Sequence, residues 1–78
     1  MNTIPLKDLR KNVKATVARV RGCGEYGRRI RSMGIYPGAT VEILERPLFS
    51  ESLIIRVDGC SLALNLDYLD CVTVAVED

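Results

Sequence analysis

The dipeptide Asp58-Gly59 stands between two apolar runs, Leu53 to Val57 and Cys60 to Leu64, and this arrangement dictates a two-residue β-hairpin. Both central residues of so tight a turn need positive φ, which glycine adopts freely and aspartate tolerates, so the flanking runs must pair antiparallel. In the first run Leu53, Ile55 and Val57 alternate with Ile54, Arg56 and Asp58. Val41 and Ile43 flank Glu42, and Val72, Val74 and Val76 recur at every second position. A period of two marks a strand with one buried face. Upstream, Lys14 to Arg21 alternates loosely and changes face between Ala15/Val17 and Ala18/Val20, the pattern of a strand containing a bulge.

Helical signals are short. Leu6 and Leu9 after Pro5 have the spacing of a single turn packing down as a lid, and Leu66 to Asp70 reads as another brief turn. From Glu25 to Met33 the residues Tyr26, Ile30 and Met33 fall at i, i+4 and i+7, one stripe predicted to face the core, while Arg28, Arg29 and Arg31 project elsewhere. Two or three turns do not persist alone in water, so this helix depends on docking its stripe.

A chain of 78 residues supports one domain spanning residues 1–78, mainly β with short helices. Five short strands cannot be covered by helices on both faces at this length, and closure removes exposed edges, so the expected architecture is a small barrel. A Src-homology-3-like barrel is predicted. A five-stranded barrel of the oligonucleotide-binding type differs from it only in strand order.

Five of the six glycines lie between Gly22 and Gly38, together with Arg28, Arg29 and Arg31. The segment ends Gly34-Ile35-Tyr36-Pro37-Gly38, a helix stop followed by a turn whose first corner is fixed by proline. The net charge of +1 conceals +7 over residues 1–38 and −6 over residues 39–78. Two halves of opposite sign folded together cancel much of their field, or else the arginine-rich helix faces an acidic partner.

Enzyme chemistry finds no support: the chain has no histidine, and no nucleophile stands beside an identifiable base. Gly22, Gly24 and Gly27 match G-x-G-x-x-G, but the strands that follow form antiparallel hairpins rather than a βαβ unit, so nucleotide binding is not expected. Nucleic acid is disfavoured because only Tyr26, Tyr36, Phe49 and Tyr68 could stack on bases and the charge is nearly balanced. Cys23, Cys60 and Cys71 are odd in number with no C-x-x-C spacing, which argues against a disulfide framework and leaves Cys60 and Cys71 as small apolar side chains. Three thiolates do not complete a structural zinc site, so no metal or other cofactor is expected. Cys23 lies in a basic setting that favours thiolate reactivity. Pro5, Lys7, Asp8, Arg10 and Lys11 interrupt any leader-like apolar stretch, and no run reaches the roughly 20 residues of a membrane helix. A cytoplasmic location without membrane insertion is expected.

The order Pro5-Leu6-x-x-Leu9, Ala15-x-Val17-x-x-Val20-x-Gly22-x-Gly24, Arg28-Arg29-Ile30-x-x-Met33-Gly34-Ile35-x-Pro37-Gly38-x-x-Val41, Pro47-Leu48 and Gly59-x-x-Leu62-Ala63-Leu64 resembles the FeoA family of ferrous-iron-transport accessory proteins over nearly the whole chain. Departures are small: Asn12 stands where the family commonly has glycine, Ile30 where leucine is usual, and Asn65 where a basic residue is frequent. Asparagine also accepts positive φ, so the fold is undisturbed. The resemblance implies a cytoplasmic Src-homology-3-like adaptor or regulator of FeoB, a membrane Fe(II) transporter with a cytoplasmic GTP-binding domain. A stand-alone relative of the Src-homology-3-like domain of iron-dependent repressors is the alternative, and weak self-association through a strand edge stays open.

On that reading, Ile35 and Tyr36 are apolar anchors held out by Gly34 and the Pro37-Gly38 turn, and Arg28, Arg29 and Arg31 meet acidic groups on the partner. Tyrosine and arginine are the side chains most enriched among binding hot spots.

Overall fold

The hairpin predicted at Asp58-Gly59 is the centre of the sheet's second half. In the computed structural model, which describes residues 2–21 and 24–76, Asp58 and Gly59 have φ of 47° and 91°. They join β4 (Ser52–Val57) to β5 (Cys60–Asn65) in continuous antiparallel register from Val57↔Cys60 to Ser52↔Asn65. Asp58 also ties the turn to the neighbouring strand, since its backbone N–H donates to the Thr40 carbonyl and its Oδ1 accepts from the Thr40 N–H, both at 2.9 Å.

Before this hairpin come β2 (Lys14–Val20) and β3 (Thr40–Glu45), and β6 (Val72–Val76) follows it. The register of β2 against β6 shifts between Val17 and Arg19, the predicted bulge. One extra residue there allows Ala15, Val17 and Val20 all to reach the core. Asn12 has φ of 66° and donates its N–H to the Ile43 carbonyl at 2.8 Å, so it takes the left-handed conformation that its side chain tolerates.

Asn2–Pro5 is a further strand, β1, so the sheet has six strands rather than five, in the order β1-β6-β2-β3-β4-β5. Its four residues pair with β6 from Asn2↔Val76 to Pro5↔Thr73. A helical turn at Leu6–Asp8 follows as expected, burying Leu6, and a second at Leu66–Cys71 buries Leu69 and Cys71. The expectation of full closure is corrected: among the described residues no pairing joins β1 to β5. The core is closed instead by the two helical turns and by α1 (Glu25–Ser32), which contribute Leu6, Leu69 and Ile30 to a cluster including Val17, Val41, Ile43, Ile55, Leu64 and Val74.

The predicted stripe of α1 is corrected as well. Ile30 is sealed, but Tyr26 is 43% and Met33 37% exposed. Gly27 is the second buried position, and a Cβ there would meet only Arg31 Nη1, at 3.8 Å. Tyr26 instead meets Tyr68 edge-on, with ring centroids 4.9 Å apart and planes at 84°.

Candidate functional site

The end of α1 shapes everything that follows it. Gly34 has φ of 94°, its N–H donates to the Arg31 carbonyl at 3.0 Å, and the Ile35 N–H reaches back to the Ile30 carbonyl at 3.2 Å. These two bonds form a Schellman motif, which characteristically sets the residue after the glycine against the last turn of the helix. Here that residue is Ile35, and it is fully buried beside Ile30 in the core. The expectation that Ile35 is an exposed anchor is therefore corrected: the same helix stop that the sequence announces folds its side chain inward.

Tyr36 opens the next turn. Its carbonyl accepts from the Ala39 N–H at 3.0 Å, with Pro37 at the first corner and Gly38 at the second with φ of 98°. This is the type II geometry that proline and glycine favour at those places. Gly38 and Val17 anchor the turn to β2 through an N–H to carbonyl bond of 2.9 Å. Tyr36 remains 48% exposed, Pro37 is exposed, and Gly34 is half-buried.

Arg28, Arg29 and Arg31 are all exposed but not equivalent. Arg31 donates from Nη2 to the Val20 carbonyl at 3.0 Å and so closes the end of β2. Arg29 lies against Tyr68, and a hydrogen bond to that hydroxyl, followed by the charges of Tyr68 and Glu25, raises its guanidinium above the ordinary pKa. Arg28 has no side-chain hydrogen bond or ion pair among the described residues. The two ion pairs found there, Lys7 with Asp70 at 3.6 Å and Arg56 with Glu42 at 3.4 Å, involve none of the α1 arginines. Of the residues named from sequence, Arg28, Arg29, Tyr36 and Pro37 present themselves to solvent. Arg31, also exposed, is tied back to β2, and the half-buried Gly34 shapes the turn.

Sequence reasoning missed Leu48 and Phe49, at the tip of the loop joining β3 to β4. Phe49 is 106% exposed with φ of 64°, an uncommon conformation for an aromatic residue that costs about 1–2 kcal/mol. The loop's roots are fixed. Arg46 Nη2 donates to the Lys7 and Leu9 carbonyls at 2.9 and 2.6 Å, and the Glu51 carbonyl accepts from the Leu66 N–H at 2.7 Å. Pro47 and the polar pair Ser50-Glu51 mark a loop in the sequence, but no periodicity shows which way its apolar tip points.

Among the described residues no group of three His, Cys, Asp or Glu side chains could hold a metal ion. Cys60 is exposed and free, whereas Cys71 is disulfide-bonded, which corrects its reading as a simple apolar side chain. Spacing along the chain carries no information on which thiols the fold brings together. The reactivity suggested for Cys23 and the first glycine of G-x-G-x-x-G, Gly22, lie outside the described residues. Of the other two, Gly24 caps α1 and Gly27 is buried within it, and the named strands pair antiparallel throughout, so no dinucleotide-type βαβ unit is present among the described residues.

A six-stranded antiparallel sheet closed by one helix and two short turns defines a small β-rich module of the Src-homology-3-like class. Residues 4–76 match the FeoA domain, and the chain belongs to the FeoA family. A crystal structure of an iron uptake regulatory protein (FeoA) superposes with a TM-score of 0.82 at 28% identity, covering 95% of this chain and 97% of that one. The FeoA of Stenotrophomonas maltophilia complexed with zinc, described as a procaryotic SH3 domain protein, gives a TM-score of 0.74 at 26% identity, covering 95% and 89%. A manganese-dependent transcriptional repressor in complex with manganese gives 0.87 at 22% identity over 99% of this chain but 38% of its own, a likeness of fold alone. A search of the curated proteins finds no match.

Proposed function

We propose that this chain is a cytoplasmic adaptor or regulator of a membrane ferrous-iron transporter of the FeoB type, acting by protein contact and without catalysis. The observation that carries this reading is the family match across residues 4–76. The geometry supports it in a specific way. A rigid type II turn holds Tyr36 half out of the surface, and neither Arg28 nor Arg29 forms an ion pair within 4 Å among the described residues. An aromatic anchor beside guanidinium groups suits an acidic partner surface with an apolar recess. No helix among the described residues is long and apolar enough to cross a membrane, consistent with a role beside a transporter rather than within it.

The test is calorimetric titration of the cytoplasmic domain of a FeoB-type transporter with this protein, using wild type, Tyr36→Ala and the double variant Arg28→Glu/Arg29→Glu. Tyr36→Ala should weaken binding by about 1–3 kcal/mol with its circular dichroism unchanged. The charge reversal should slow association and remove most of the salt dependence. Undiminished binding by both folded variants would exclude this surface. Absence of any complex with wild type would exclude the transporter domain as the partner.

A further inference from the structure

The loop between β3 and β4 ends in a fully exposed Phe49 beside an exposed Leu48, held clear of its own domain by the Arg46 and Glu51 bonds at the loop's roots. The same chain carries an open hollow of about 390 Å³ whose lining includes Ile4, Leu9, Val13 and Val76 with Asp8 and Arg10. Ile4, Val13 and Val76 are only partly covered while packing on the core, so their outer surfaces stay available. A protruding phenyl ring and an open, partly apolar recess in one molecule are complementary to each other.

We propose that Phe49 of one copy inserts into this hollow of a second copy, so that the protein forms a reversible two-fold dimer. Three further observations favour a second copy as the occupant. The two features are neighbours, because Arg46 at the loop's root bonds to the carbonyl of Leu9, which is itself part of the hollow's wall. That proximity lets a two-fold axis satisfy both insertions at once, closing the assembly at two chains instead of propagating a fibre. Charge agrees as well: with Lys7 already paired to Asp70, Asp8, Arg10 and Lys11 give residues 8–11 a net +1, whereas Glu45, Arg46 and Glu51 give residues 45–51 a net −1. The left-handed backbone of Phe49 belongs to the same picture, since it aims the tip outward at a cost that a dimer contact offsets. This inference does not depend on the transporter reading, and the Tyr36 surface is not part of it.

Sedimentation velocity from low micromolar to millimolar concentration tests it, using the full chain. Wild type should pass from monomer to dimer, and Phe49→Ser, which touches no core residue, should raise the dissociation constant about tenfold or more. Val13→Glu should do the same from the side of the hollow. Mixing the two variants should restore a heterodimer with one intact insertion, because each supplies what the other lacks. If Val13→Glu does not fold, methyl resonances give the second readout: those of Ile4, Val13 and Val76 should shift with concentration in wild type and stay fixed in Phe49→Ser. A monomer throughout, a dimer indifferent to Phe49→Ser, or concentration-dependent shifts confined to the β5 edge would overturn the proposal.

Discussion

Arg31 donates from Nη2 to the Val20 carbonyl at 3.0 Å, fastening the last turn of α1 to the end of β2, while Arg28 on the same helix holds nothing among the described residues. The two arginines differ by three positions, so they are neighbours on one helical face with opposite duties. Arg31→Ala is expected to cost about 1 kcal/mol of stability, the net worth of one hydrogen bond. In a domain of this size that lowers Tm by about 4–8 °C. Arg28→Ala should stay within about 0.5 kcal/mol. Thermal unfolding of the two variants side by side measures the difference, and equal losses would refute the division of labour.

Ile35 is predicted to be a folding residue. Removing its side chain leaves a cavity against Ile30 in a thin core, so Ile35→Ala should lose about 2–5 kcal/mol and Ile35→Val about 0.5–1.5 kcal/mol. Urea denaturation gives both values. A well-folded Ile35→Ala protein with unchanged midpoint would show that the Schellman contact carries no weight.

Gly34 and Gly38 separate backbone strain from crowding. A Cβ at Gly34 would meet only Val57 Cγ1 at 3.9 Å, and at Gly38 nothing within 4 Å, yet their φ values are +94° and +98°. Gly38→Ala should therefore cost about 1–2 kcal/mol despite open space. A chemically synthesised chain with D-alanine at residue 38 should recover that loss, as measured by its denaturation midpoint. Equal stability of the L and D forms would contradict the assignment.

The two described cysteines should react differently. Cys60 is free and exposed in β5, so a thiol-specific alkylating reagent should label it in the native protein. Cys71 is buried and disulfide-bonded, so peptide mapping should find it unlabelled until the protein is reduced and unfolded. Native labelling of Cys71 at the rate of Cys60 would contradict this.

Local chemistry made much of the fold legible from sequence. Asp58-Gly59, the valines at 72, 74 and 76, the bulge near Val17, and the Gly34 and Pro37-Gly38 stops each act through their own φ preference or periodicity, and each sits where those preferences place it. β1 escaped because its four residues show no alternation and its partner is some 70 positions away in β6, so only the tertiary fold makes it a strand. At the candidate site the turn was readable, but its inside and outside were not. Ile35 and Tyr36 are adjacent and both apolar, and only the hydrogen bond from Ile35 to Ile30 decides which one the core claims. Phe49 was hidden for a different reason: apolar character alone does not say which apolar side chains stay in solvent, and a non-periodic loop adds no signal.

The placement of β6 between β1 and β2 has a consequence for biosynthesis. Residues 2–5 can only pair with residues 73–76, and the β2 strand also waits for that segment along one of its sides. While the ribosome still shelters residue 76, the nascent polypeptide has a four-stranded sheet, β2 to β5, a lone β1 segment and an uncovered apolar interior. Folding must therefore follow release of that segment from the exit tunnel, and until then the emerging chain is a natural client for chaperones.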